Sequence, residues 1–391
     1  MSRAVDEDDD DDDVAPAKGS WDGVRGVNVL EKNGKKFQSL SGVDSEITGK
    51  GGLGVNEREF SNGLWLTMRS PKKMDKGGSM NVAENETSTQ ESKVWFPLVG
   101  LGTFRLRSKG GDNVVENAVK AALESGYRRI DTASCYRNEV NIGQAIRISK
   151  IPREDIFITS KIAPKEMKSF ESVRAAVNGI LTRIGTSYLD LCLLHWPGIS
   201  GVDVSSNLHE ARRKTAWKAL ESCYIEGKVR AIGVSNFEIK HLKPLVEGEA
   251  KILPCLNQIE CHPLFQQRSL REYCKKNDIM VEAYSSFGEG NLLSHPKIKS
   301  IARGEESREG GEKKEEANDS TVGRMMTPAA LLLKWAYHKG LPVIPKSSSS
   351  ERISANITAY FKQKKLSPKT ITLLDELDCG KKFAWDPRRI A

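Results

Sequence analysis

Four side chains of a 391-residue chain are of the types that together can move a proton to or from a carbonyl oxygen: Asp131, Tyr136, Lys161 and His195. Tyr136 follows Asp131 by five positions, in "RRIDTASCYRNE", beside Arg137, Asn138 and Glu139. A free phenol has a pKa of about 10 and is a weak acid at neutral pH. A lysine ammonium within reach would favour the phenolate and lower that value, and a shift of three units corresponds to about 4 kcal/mol. Asp131 would hold Lys161 charged and oriented, offsetting the cost of burying an ammonium. An imidazole at His195 could donate to a substrate oxygen and position it. Each residue alone has a plainer explanation, since an Asp at a strand end is often a helix cap and a lone His is often a hydrogen-bonded core residue.

The elements that must position these groups repeat along the chain. From about Val94, short apolar runs alternate with amphipathic stretches, as in "IFITSKI" followed by "FESVRAAVNGILTRIG". Eight such strand-plus-helix units fit into the region, closing with "PVIPKS" and a final pair of helices. Strands that are apolar throughout are buried on both faces, hence parallel. Eight units of this size predict a closed (β/α)8 TIM barrel, and no GxGxxG follows a strand to support an open dinucleotide-binding sheet. In such a barrel the active site lies at the C-terminal strand ends. There the polar residues gather: Asp131, Lys161 and His195 after the second to fourth strands, then Ser235 with Asn236, Gln258 with Glu260, Tyr284 with Ser285, and Lys346 with Ser347. Their recurrence at seven consecutive strand ends, between apolar positions, predicts one pocket.

A proton donor does not reduce a carbonyl without a hydride source. In "VIPKSSSSERISANI", Lys346, Ser347 and Arg352 are candidates to bind a phosphate, although a solvated serine-rich turn would look the same. Tyr284 offers a face for a flat ring, while Ser235, Asn236 and Gln258 offer partners for a carboxamide. No Cys or Ser has the setting of an acyl-transfer nucleophile, and the acids and histidines lack metal-ligand grouping.

Composition narrows the rest. An apolar share of 38% is low for a globular protein. Residues 1–92 read as a largely disordered low-complexity extension, with eight consecutive acids at Asp6–Asp13, and 303–324 as a charged surface insertion in a barrel spanning 93–391. Seven cysteines without ligand spacing read as reduced thiols, which points to the cytoplasm. No apolar run approaches the roughly 20 residues of a membrane span. A net charge of +8 comes from Lys and Arg interspersed with acids, without the aromatic-basic stripe of a nucleic-acid binder.

The motifs "GLGTF", "IDTASCYRNE", "ITSKI", "LLHWP", "GKVRAIGVSNF", "NQIECHP", "AYSSFG" and "VIPKS" occur in an order and spacing that resemble the aldo-keto reductases, from about Leu98 to Ala391. The resemblance implies Asp131, Tyr136, Lys161 and His195 as a catalytic tetrad, with Tyr136 the general acid in reduction. It implies Ser235, Asn236 and Gln258 on the nicotinamide carboxamide and Tyr284 stacked on its ring. Lys346, Ser347 and Arg352 match 2′-phosphate contacts, which favours NADPH; Asn356 matches an adenine contact, and Ser285 and Phe287 run beside the pyrophosphate. Gly102 and Thr103 are also expected at the cofactor, and Phe104 and Trp196, with His195, at the substrate. Ala355 stands where the family usually has an acid, so weaker cofactor binding is expected. "FSNGLWLTM" and "VWFPLVG" are the candidate arms of a barrel-plugging hairpin, which would bury Trp65 and Trp95 and end the extension earlier. A monomeric reductase of small aldehydes or ketones, aldoses among them, is the reading these residues imply. The rivals are a phosphosugar isomerase or aldolase barrel and a cofactor-binding redox sensor with little turnover.

Overall fold

The computed structural model of the protein describes residues 63–69, 92–108, 110–248, 250–309, 326–361 and 365–391. Most of the expected N-terminal extension, including Asp6–Asp13, and residues 310–324 of the expected insertion lie outside them. The chain enters through an antiparallel pair, β1 (Gly63–Met68) and β2 (Ser92–Pro97), so the boundary at residue 92 is too late. Seven strands follow in one parallel sheet in sequence order: β3 (Leu101–Gly102), β4 (Arg129–Asp131), β5 (Phe157–Ile162), β6 (Leu191–Leu194), β7 (Ile232–Ser235), β8 (Leu256–Glu260) and β9 (Met280–Tyr284).

The eighth position is not a full strand. Val343 alone bridges to Ala283 on one side and Val99 on the other, and closes the ring. Gly100 N donates to Val343 O at 2.9 Å, and Gly102 N to Pro345 O at 3.2 Å. Pro342 and Pro345 have no N–H to offer, which limits the ladder to these few bonds. The backbones also come close here: a Cβ on Gly102 would lie 2.5 Å from the carbonyl oxygen of Ile344, so only glycine fits.

Helices coat the sheet because their apolar residues recur at helical spacing. In α1 (Phe170–Ile184) the buried positions are Val173, Val177, Ile180 and Ile184. Ser169 Oγ caps its start by accepting from Ser172 N at 3.1 Å, and Gly185 ends it with φ 74°. Helix α2 (Pro296–Glu309) runs into the segment expected as an insertion. Among the described residues no helix is long and apolar enough to cross a membrane.

The hairpin buries Leu66, Met68, Val94 and Phe96, with Phe96 edge-on to Phe157 of β5 at 5.1 Å. Trp65 and Trp95 do not plug the barrel as expected. They face each other across β1 and β2 at 5.2 Å and remain 44% and 37% exposed. Strand alternation puts them on the face opposite Leu66 and Phe96.

Candidate active site

The polar residues predicted at the strand ends do converge. Lys161, fully buried on β5, donates from Nζ to Asp131 Oδ1 at 2.5 Å and to Thr132 O at 2.9 Å. Two oxygens and a countercharge make burial of the ammonium tolerable. Tyr136 ends a short 3-10 turn, Ser134–Tyr136, and its hydroxyl lies 3.4 Å from His195 Nε2. Lys161 Nζ sits 5.0 Å from the Tyr136 ring centre.

The loop carrying Tyr136 is held by a residue that the sequence argument did not use. Buried Asn138 accepts from Thr132 Oγ1 at 2.8 Å and donates to Thr103 O and Leu106 O, both at 3.0 Å. Thr103 in turn donates through Oγ1 to Asp131 O at 2.8 Å. The tops of β3 and β4 and the turn are thus one hydrogen-bonded unit. Its signal was present, since Asn beside a candidate acid rarely sits buried without clamping backbone.

Electrostatics correct one expectation. The Tyr136 phenol is pushed well above its ordinary value, first by burial, then by the Asp131 charge and by Cys135. The lowering expected from Lys161 is not found, because burial and the Asp131 charge set the direction. His195 is pushed down to about 3 by burial and by the Lys161 charge, so its imidazole is neutral at physiological pH. Its Nδ1 lies 3.5 Å from Cys135 Sγ, another contact the sequence argument missed. A thiol hydrogen donated to Nδ1 leaves Nε2 carrying its hydrogen towards Tyr136 and the pocket.

Stability follows with a definite sign. An unfolded histidine takes up a proton near its ordinary 6.5, which the folded site refuses until about 3. This contribution is therefore fully present above about pH 6.5 and is lost as pH falls from there towards 3.

The three expected carboxamide partners are already bonded to one another. Asn236, at φ 64°, donates from Nδ2 to His195 O and Ser235 Oγ, both at 3.0 Å, and accepts at Oδ1 from the Tyr284 hydroxyl at 2.6 Å. Ser235 Oγ donates to Gln258 O at 2.9 Å. Gln258 spends its Nε2 on two carboxylates, Asp131 Oδ2 at 2.8 Å and Glu282 Oε2 at 2.9 Å. What this set still offers is acceptor oxygen, Gln258 Oε1 and Asn236 Oδ1, suited to an incoming –NH2.

Further round the mouth, Ser347 is buried and accepts at Oγ from Arg352 Nε at 3.2 Å. Lys346 is exposed, and partial burial, Arg352 and Arg105 lower its pKa. Among the described residues neither Lys346 nor Arg352 pairs with a carboxylate. Two cations without a carboxylate partner among the described residues, beside the start of α3 (Ser350–Phe361), suit a phosphate. Asn356 is buried in the second turn of that helix, while Ala355 is exposed. Ser285, at φ 52°, and Phe287 form the turn after β9, whose Glu289 reaches back to Arg105 at 3.1 Å.

Phe104, 40% exposed, packs on Tyr136 at 5.1 Å. Trp196 is half-buried and stands edge-on to Trp385 at 6.4 Å. Trp385 belongs to a C-terminal segment that Glu260 holds: its carboxylate accepts from Lys382 Nζ at 2.8 Å and from the amides of Phe383 and Ala384. Against the opposing effect of burial, the His262 imidazole at 3.1 Å, then Lys382 and the Phe383 amide, hold the Glu260 carboxyl down at about 2. Glu260 is thus an anchor for the tail, not a group of the reactive centre.

A family model described as "Aldo/keto reductase family" matches residues 98–378. A glyoxal reductase of Bacillus subtilis is 35% identical over 79% of this chain and 98% of its own length. An aldehyde reductase of Saccharomyces cerevisiae is 36% identical over 68% of this chain and 83% of its own. Among solved structures, an aldo-keto reductase from a deep-sea metagenome library of the Medee basin matches with a TM-score of 0.63 at 37% identity, over 76% of this chain and 96% of that one.

Proposed function

The chain belongs to the aldo/keto reductase family, and from that premise we propose that it reduces small aldehydes or ketones with NADPH, as a monomer in the cytoplasm. The observation that carries this reading is the Tyr136 hydroxyl at 3.4 Å from His195 Nε2, next to the buried Lys161–Asp131 pair. NADPH, when bound, supplies the hydride. Gln258 Oε1 and Asn236 Oδ1 would take its carboxamide –NH2, Tyr284 would face its ring, and Lys346, Ser347 and Arg352 would hold the 2′-phosphate. The remaining work falls to this chain. His195 Nε2–H holds the carbonyl oxygen, and Tyr136 gives that oxygen its proton.

A raised phenol pKa is compatible with this role. The oxygen that receives hydride develops towards an alkoxide, whose conjugate acid is about as weak as water at roughly 15.7. Proton transfer from the phenol therefore remains downhill. Because His195 is neutral above about 3 and Tyr136 is protonated well past its ordinary range, kcat/KM for reduction is expected to be flat between about pH 5 and 9. A rate profile with a limb near 6.5 would assign His195 a charged role and contradict the site described here.

Purified protein mixed with NADPH or NADH and a panel of aldehydes, ketones and aldoses tests the reading by absorbance. Consumption of NADPH with at least one small carbonyl is expected, and no consumption with any would overturn it. Lys346→Ala with Arg352→Ala removes both cations, and charge-assisted bonds contribute about 1.5–3 kcal/mol each. The preference for NADPH over NADH is expected to fall by about 100-fold or more, through the KM for NADPH with kcat little changed. An unchanged cofactor preference would place the 2′-phosphate elsewhere.

A further inference from the structure

Below the reactive residues runs a column of buried polar groups inside the barrel. Arg129, the first residue of β4, lies over the Phe96 ring of the hairpin at 4.2 Å and donates to Pro97 O at 2.7 Å, Leu98 O at 3.2 Å and Val343 O at 3.1 Å. Its Nη1 pairs with Glu282 Oε1, and both side chains are fully buried. Glu282 Oε2 then accepts from Gln258 Nε2, whose other hydrogen goes to Asp131 Oδ2. The positive and negative groups alternate so that Arg129 balances Glu282 and Lys161 balances Asp131.

A carboxylate only accepts, so an amide set between two of them must present its nitrogen to both. The reverse orientation would put the Gln258 carbonyl oxygen against two negative charges. Two anchored hydrogens also fix the amide plane, whereas one would leave it free to turn about its last C–C bond. We propose that Glu282, held by Arg129, is a positioning residue that aims Gln258 Oε1 at the carboxamide of the bound nicotinamide. This rests on the NADPH reading above, and adds two residues from the lower half of the barrel to cofactor recognition. An acceptor held before the ligand arrives spares the cost of ordering it on binding.

The test separates the nicotinamide half of the cofactor from the phosphate half. Dissociation constants for NADPH and for 2′,5′-ADP, which lacks the nicotinamide, are measured by calorimetry on the wild type and on Arg129→Leu with Glu282→Leu. Removing both charges together leaves no unpaired ion in the core. NADPH is expected to bind about 10-fold more weakly and 2′,5′-ADP unchanged. Should that protein fail to fold, Glu282→Gln serves, because an amide there can turn either way and no longer dictates the orientation of Gln258. The same selective loss is expected. Equal weakening of both ligands would reduce the pair to a structural brace and overturn the proposal, as would no change in either. A wild type that binds 2′,5′-ADP but not NADPH would remove the NADPH reading itself, and this inference with it.

Discussion

Tyr136→Phe is expected to lower kcat by about 10³-fold or more while leaving NADPH binding intact, since general acid catalysis contributes typically 10²–10⁴-fold. The substitution removes one oxygen from a ring that packs against Phe104 at 5.1 Å and His195 at 5.6 Å, so the pocket keeps its shape. Among the described residues the hydroxyl's one hydrogen-bond partner is His195 Nε2, a neutral group that can still hold a substrate oxygen. The loss therefore appears in turnover, with the KM for NADPH little changed. Steady-state NADPH oxidation, with cofactor binding followed by quenching of protein fluorescence, checks both halves. A variant that retained a tenth of the wild-type rate would move the proton donor to another group.

The second large effect is on stability. Lys161→Met is expected to cost about 3–5 kcal/mol, because it leaves Asp131 buried with no countercharge. Asp131 then keeps one amide hydrogen of Gln258, whose other hydrogen goes to Glu282. Combining Lys161→Met with Asp131→Asn removes both charges and is expected to recover more than half of the loss. Activity stays absent in both. Urea midpoints for the two single variants and the double complete the cycle. Additive losses would mean that the two groups do not depend on each other, against the 2.5 Å contact between them.

The barrel and the ring of strand-end residues were legible because both leave one-dimensional traces. Strands buried on two faces are apolar throughout, and β5 and β6 are buried along their whole length, so the polar residues that close such runs stand out. Orientation was less legible. In "GLWLTM" one phase holds Leu64, Leu66 and Met68 and the other Gly63, Trp65 and Thr67; the large indole suggested burial, but the core takes the Leu and Met phase. The Arg129–Glu282 pair was invisible because its members lie on β4 and β9, and Arg129 in "RRIDTA" reads as an ordinary basic strand start. The sign of the Tyr136 shift was missed for a related reason. Residue types show that an ammonium is near, but only the structure shows how completely the phenol is buried and how close the Asp131 charge lies.

The closing contact of the ring bears on how the protein is made. Val343 meets Val99 and Ala283, and the Arg129 guanidinium reaches the carbonyl of Val343 from inside. As the chain leaves the ribosome, seven strands emerge and can pair in turn, each beside its predecessor. The first of them must then wait, one edge unpaired, until nearly the whole polypeptide has been synthesised. Through that interval the nascent sheet is an open crescent, with the edge of β3 exposed to any other strand in the cell. At that edge a single valine, with Pro342 before it and Pro345 two residues on, offers few bonds to bring the wait to an end.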